Sequence, residues 1–350
     1  MLPYLLLAGL TAYGSWAWRD RRLTLALVLL FSLAYFVLAG FRFHVGTDWN
    51  NYLRIYYASK ERDFGELAFQ SEWAWGALLW LIHAGDGQFM WINIACALVA
   101  AAGLGMLLAE CDEPMLGVTA ALPVLCYAVG MSAVRQTFAI GIECALIAHW
   151  HRLNTPAKAG IIIVASGFHL SALFLFILLA SENLRFGWQR WVSGALIALG
   201  VVYLLNTNAD HVSYYSETYT GEQGANYAPG ALYHLALVAI PSALYLLWRK
   251  RWEAVYGRSN IVLVLAITAV ACIPAIALSP AGADRIGLYC WPAAIIIYSG
   301  IPKLFLQPQQ QALARLAIVG GSLVTLLGWL LLANEIYAYL PYTFMGDPIR

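Results

Sequence analysis

The sequence predicts an all-α polytopic membrane protein of about 12 transmembrane helices (roughly 11–13). Composition is the first reason: 61% of the 350 residues are hydrophobic and 11% are charged, where a soluble domain carries about 25% charge. Mean hydropathy is +0.68. The second reason is patterning, because apolar runs of spanning length recur nearly to the end of the chain. A soluble globule cannot hide so much apolar surface. A soluble enzyme, a disordered chain and a peripheral protein are therefore excluded, and the net charge of +1 argues against nucleic acid as a partner.

The runs lie at roughly 2–18, 23–41, 72–85, 88–109, 114–130, 133–150, 159–180, 190–206, 230–248, 260–279, 285–301 and 312–332. The first ends in Arg19-Asp20-Arg21-Arg22, and this charge follows the apolar run, whereas a secretory signal places it before. It reads as an uncleaved first span with a cytoplasmic C-terminal end. The third run is short, and the fifth, carrying Pro123 and ending in Gly130, reads as broken or re-entrant. Arg19, Arg21 and Arg22, then Arg185 and Arg190, then Arg249, Lys250, Arg251 and Arg258 mark cytoplasmic loops. Counting from these leaves three external segments in one integral domain over 1–350: a loop at 42–71 with a short helix, a loop at 207–229, and the tail 333–350. A miscounted span at 110–135 would reverse neighbouring loops. The six cysteines (96, 111, 126, 144, 272 and 290) form no CxxC pair and read as small core residues.

Polar residues at membrane depth are costly and tend to have a function. Arg42 to Tyr52 is the richest stretch. Gly46 allows a tight turn, and Thr47 suits a cap for a helix beginning near Asp48. Asp48, Tyr52 and Tyr56 then share a face, and an acid with aromatic neighbours beside an arginine suits a sugar. An interfacial helix with an ordinary aromatic belt has the same pattern. Arg135 and Gln136 sit where the fifth and sixth runs meet, with Glu143 two turns along as a structural partner for Arg135. His169 lies within an apolar span, as a packing residue or a proton carrier. Arg285 and Tyr289 are one turn apart on a late span, and Asp284 could simply neutralise Arg285. Glu72 reads as a cap or a second carboxylate. HExxH, DxD and P-loop patterns are missing, so no metal or cofactor is expected. Several arginines with an acid fit an anionic, diphosphate-bearing lipid substrate.

Arg42-x-x-x-Gly46-Thr47-Asp48-x-x-x-Tyr52 resembles the signature of EpsG-type, Wzy-like polysaccharide polymerases. Glu72 resembles that family's next acidic residue. Val134-Arg135-Gln136-x-x-Ala139 resembles its Arg-Gln motif and Phe168-His169-x-Ser171-Ala172 its Phe-His motif, with weaker likeness at Arg285-x-x-x-Tyr289 and Tyr339-x-Pro341-Tyr342. Trp49 departs from the tyrosine common there and keeps the aromatic character. The resemblance implies a GT-C-like membrane glycosyltransferase bundle in the bacterial inner membrane, with its site facing the periplasm or cell exterior. It implies transfer of a growing glycan from undecaprenyl diphosphate to the non-reducing end of a new lipid-linked repeat unit. Expected partners are undecaprenyl-diphosphate-linked oligosaccharide, membrane lipid and a chain-length regulator (polysaccharide co-polymerase). On this reading Asp48 is the base with His169 its rival, and Arg42, Arg135 and Arg285 grip the diphosphate with Gln136 beside them. Tyr52 and Tyr289 orient sugar or phosphate, and Glu72 positions Arg42 or the acceptor. A ligase shares this chemistry with another acceptor. A lipid-linked oligosaccharide flippase is the reading from another class, though the chain lacks clear half-to-half symmetry.

Overall fold

In an apolar solvent a backbone group has only the chain itself to bond, so long apolar runs become helices. The computed structural model obeys this: among the residues it describes (1–16, 20–70, 72–182 and 230–346) the chain is all helix apart from one isolated bridge. The chain, read above as one domain, divides into two compact units: residues 1–149, 164–170 and 298–350, and residues 150–163 and 171–297.

The first unit holds α1 (Leu2–Gly14), α2 (Arg21–Gly40), α3 (Trp49–Ala58), α4 (Phe64–Gln70), α5 (Trp73–Ala84), α6 (Met90–Glu110), α7 (Pro114–Ala121) and α8 (Val134–Ala148). Pro123 follows α7 directly, and the helix loosens to a π-helix over Leu122–Val129, as an imino residue without an N–H requires. α6 and α8 cross at Gly103 and Gly141, where a Cβ at Gly141 would stand 2.8 Å from Ala100 Cα. Such close approach of small residues is how helices associate when lipid removes the hydrophobic drive between them. At the start of α7, the fully buried Glu113 takes two bonds of 2.7 Å from Arg315. Breaking a buried pair of this kind costs about 3–5 kcal/mol. Leu6, Leu29, Val324 and Leu331 stand exposed on outward helix faces, as lipid contact demands.

α9 (Thr155–Phe168) passes from the second unit into the first. The second unit also holds a 3₁₀ segment (Leu170–Leu175), α10 (Phe176–Glu182), α11 (Ala231–Leu247), α12 (Arg249–Tyr256), α13 (Asn260–Ala275) and α14 (Pro280–Leu288). α15 (Trp291–Gly300) leads back to the first unit and to α16 (Pro308–Leu332).

Of the expected membrane architecture, the all-helical class stands, with several long or shorter apolar helices. Among the described residues three helices, α2, α6 and α16, are long and apolar enough to cross a membrane alone. A fourth span exists if α11 and α12, bent by 82°, count together. The reason is length: a helix rises 1.5 Å per residue, so 10–17 residues cover about 15–25 Å of a core about 30 Å thick. Two expected spans also break. The run 159–180 changes from α to 3₁₀ at His169, and the run 285–301 breaks at Tyr289-Cys290, before Pro292 opens α15. Periodicity reads through both breaks because every flanking residue is apolar. The segment 42–71 carries two short helices, α3 and α4, where one was expected. The eighth expected span and the loop 207–229 lie outside the described residues.

Candidate functional site

The turn after α2 is built by chemistry that only one residue type permits. Gly46 adopts φ +110°, and a Cβ there would run into Met131 O. Its N–H donates to Ala338 O at 2.8 Å, and Phe43 N donates to Thr343 O at 2.9 Å. Arg42 bridges to Phe344, Met345 N donates to Phe41 O at 2.8 Å, and the Tyr342 hydroxyl donates to Leu38 O. The tail after α16 thus lies along the turn, tied to it by backbone bonds and one isolated bridge.

Arg42 is 2% exposed. Its Nε donates to Val45 O at 3.1 Å, Nη1 to Ala39 O, and Nη2 to Asn93 Oδ1 at 2.8 Å. All three nitrogens serve protein acceptors: Ala39 O at the end of α2, where helix carbonyls lack intrahelical partners, Val45 O in the turn, and Asn93 on α6. This corrects the diphosphate-gripping role expected for Arg42. Thr47 is corrected too: its hydroxyl meets Ser132 Oγ at 2.5 Å instead of capping α3. Ser132 Oγ also accepts from Asp48 N at 3.1 Å. Asp48 occupies the cap position of α3, yet its carboxylate makes no cap bond. It is half-buried and close to Tyr52 and Tyr339. Burial pushes the Tyr52 phenol up, Arg135 opposes that, and Asp48 adds to it. Burial likewise pushes Tyr339 up to about 12, against hydrogen bonds with Ser132 and Thr47. Both phenols therefore stay protonated and able to donate. Tyr56 is packing: its hydroxyl bonds Gly87 O at 2.5 Å and its ring stacks on His83 at 4.5 Å.

Three sequence motifs meet beside Tyr52. Glu72 stands just before α5, Arg135 on the first turn of α8, and His169 directly after α9. Arg135 Nη1 donates to Glu72 Oε2 at 2.6 Å, and Glu72 Oε1 lies 3.5 Å from His169 Nδ1. The guanidinium also sits 5.8 Å from the Tyr52 ring and 5.9 Å from the Trp75 ring. Packing fixes His169: Phe168 stacks on Phe138 at 3.7 Å, one turn after Arg135, and Gly167 closes against Trp73 and Ala74. The Arg135 side chain keeps 21% exposure, against 8% for Glu72 and 7% for His169. The arginine is the member of the trio that can reach a ligand. Glu72 thus holds Arg135 and His169, which corrects the expected link to Arg42. Glu143, the expected partner of Arg135, is fully buried with neither oxygen hydrogen-bonded among the described residues. Gln136 is buried in α8.

Arg285 and Tyr289 belong to the second unit. Tyr289 is fully buried. Asp284 does not simply neutralise Arg285, because its Oδ1 meets His234 Nδ1 at 3.1 Å. Among the described residues no group of three or more His, Cys, Asp or Glu is arranged to hold a metal. Sequence reasoning missed Asn93, Ser132, Trp75 and His234. Asn93 and His234 carried a signal, being polar residues inside apolar runs; Ser132 and Trp75 carried none.

The family model described as EpsG family matches residues 25–344, which spans every element of this site. No curated protein and no solved structure matches the chain.

Proposed function

The chain belongs to the EpsG family, and on that premise we propose that it polymerises lipid-linked oligosaccharide repeat units on the outer face of the bacterial inner membrane. Family membership supports a polysaccharide-polymerase role, and the apolar helices support a membrane protein. One observation carries the finer reading: Glu72, Arg135 and His169, far apart in sequence, converge beside Tyr52 and Asp48.

The donor glycan is held on undecaprenyl diphosphate. Arg135, held by Glu72 and with a fifth of its side chain exposed, meets the diphosphate oxygens with its planar fork, a geometry lysine cannot copy. Negative charge grows there as the bond from the anomeric carbon to the diphosphate oxygen breaks. A fixed donor at such a centre is worth about 10²–10³ in rate. The acceptor hydroxyl on the new repeat unit forms the new bond to that carbon and passes its proton to Asp48, whose carboxylate caps nothing. Tyr52 donates to the sugar beside it. Undecaprenyl diphosphate leaves. Glu72 holds Arg135 in place, and His169 is the alternative base. A separate chain-length regulator is the expected partner.

A glycan length profile tests this. The gene is deleted, and surface and lipid-linked glycans are resolved beside strains restored with wild type. Single repeat units on the outer side of the deletion strain, with a ladder after restoration, are expected. Repeat units trapped on the cytoplasmic side would make the protein a flippase, and long polymer left on its lipid would make it a ligase.

A further inference from the structure

The second unit contains a polar pair that the reaction above does not use. His234 lies on the first turn of α11 and Asp284 within α14. His234 Nδ1 stands 3.1 Å from Asp284 Oδ1 and 3.4 Å from Oδ2. The pair is fixed by packing: Gly287, on α14, closes against Leu235, the residue after His234. Ser279 caps α14, its hydroxyl accepting from Gly282 N at 3.1 Å. A carboxylate on Nδ1 holds the proton there and leaves the lone pair on Nε2. Among the described residues nothing bonds Nε2, and the two side chains keep 21% and 17% exposure.

We propose that His234 Nε2 is a binding point for a saccharide hydroxyl, in a site of the second unit formed by His234, Asp284 and the neighbouring Tyr233. The argument is one of donor and acceptor. In the tautomer that Asp284 fixes, Nε2 presents an acceptor, so its ligand must bring a donor. Hydroxyls do this, and the oxygens of an ionised diphosphate do not. The Asp284 carboxylate beside it also disfavours an anion. Tyr233, 40% exposed with its ring 6.0 Å from that of His234, adds an aromatic surface of the kind that covers a sugar. The reading rests on the proposed polymerase function for its choice of a glycan.

Chemical modification tests it directly. The purified full-length protein is treated with diethylpyrocarbonate and each histidine is followed by mass spectrometry. The probe is lipid-linked repeat units extracted from the deletion strain, and the control is undecaprenyl diphosphate without sugar. His234 is expected to react, and to be protected by repeat units only. In a polymerisation assay His234→Ala is expected to raise KM about 2–10-fold with kcat unchanged, as for loss of one hydrogen bond. His234→Gln, which keeps an acceptor, recovers most of the loss. Equal protection by undecaprenyl diphosphate overturns the sugar assignment. An unreactive His234, or no protection by either probe, overturns the site. If the wild type makes no polymer while repeat units still protect His234, the polymerase reading fails and this site stands.

Discussion

Arg42 and Arg135 are the same residue type, both at the end of an apolar run and both in a motif, yet they do opposite things. Arg42 is enclosed, with every nitrogen on a backbone carbonyl or Asn93. Arg135 leans on one carboxylate between two aromatic rings and keeps a fifth of its side chain exposed. The difference teaches that a guanidinium grips a ligand only if the protein leaves part of it exposed. At Arg42 the Ala39 carbonyl closing α2, the Val45 carbonyl of the turn and Asn93 enclose the group; at Arg135 the Glu72 carboxylate holds one edge and part of the side chain stays exposed.

The comparison breaks most visibly at its chemical end. Asp48→Asn should lower the polymerisation rate about 10²–10⁴-fold, the usual worth of a general base, with normal protein levels in the membrane. Retained full-length polymer would move the base to His169. Next, Arg135→Lys should cost about 10²–10³-fold in rate, because the compact ammonium lacks the planar fork that spans Glu72 and a diphosphate. An unchanged ladder from Arg135→Lys would remove the arginine from the site.

The enclosed arginine should fail in another way. Arg42→Met strands the carbonyls of Ala39 and Val45 and the Asn93 amide oxygen, and should lower stability by about 1–3 kcal/mol per stranded acceptor. Thermal unfolding in detergent reads the loss, and turnover per folded molecule should hold. If instead KM for the lipid substrate rose with stability intact, Arg42 would rejoin the binding residues. The smallest effect belongs to Tyr342→Phe, which deletes one bond to Leu38 O and should cost about 0.5–1.5 kcal/mol in the same melt.

Helix content was legible in the sequence because apolar runs leave the backbone no alternative, and the starts of α2, α6, α7, α8 and α11 fall within a few residues of the expected runs. The breaks within the runs were legible only in part: Pro123 marks the change of winding in the fifth run, whereas hydropathy adds up residues and is blind to those at His169 and Tyr289. The site was legible as a set of motifs and illegible as pairs. Glu72 and Arg135 could be nominated, but an arginine in sequence looks equally ready for Glu72, Glu143 or a phosphate. Only the stacking of Phe168 on Phe138 and the closure of Gly167 on Trp73 bring His169 to the same carboxylate. Asp284 is the same lesson in small: its sequence neighbour was Arg285, and its spatial neighbour is His234.

The tail bonded along the Arg42 turn has a consequence in time. Tyr342 and Leu38 are 304 residues apart, and Thr343 and Phe43 are 300 apart. At about 5–20 residues per second, the ribosome needs roughly 15–60 s between making the turn and making the residues that finish it. Through that interval the segment bearing Asp48 waits without the tail that bonds along it while the helices between are made. The turn among the first to be translated is thus among the last to be completed, and a nascent chain stalled before Tyr339 carries Asp48, Glu72, Arg135 and His169 without the frame that sets the turn.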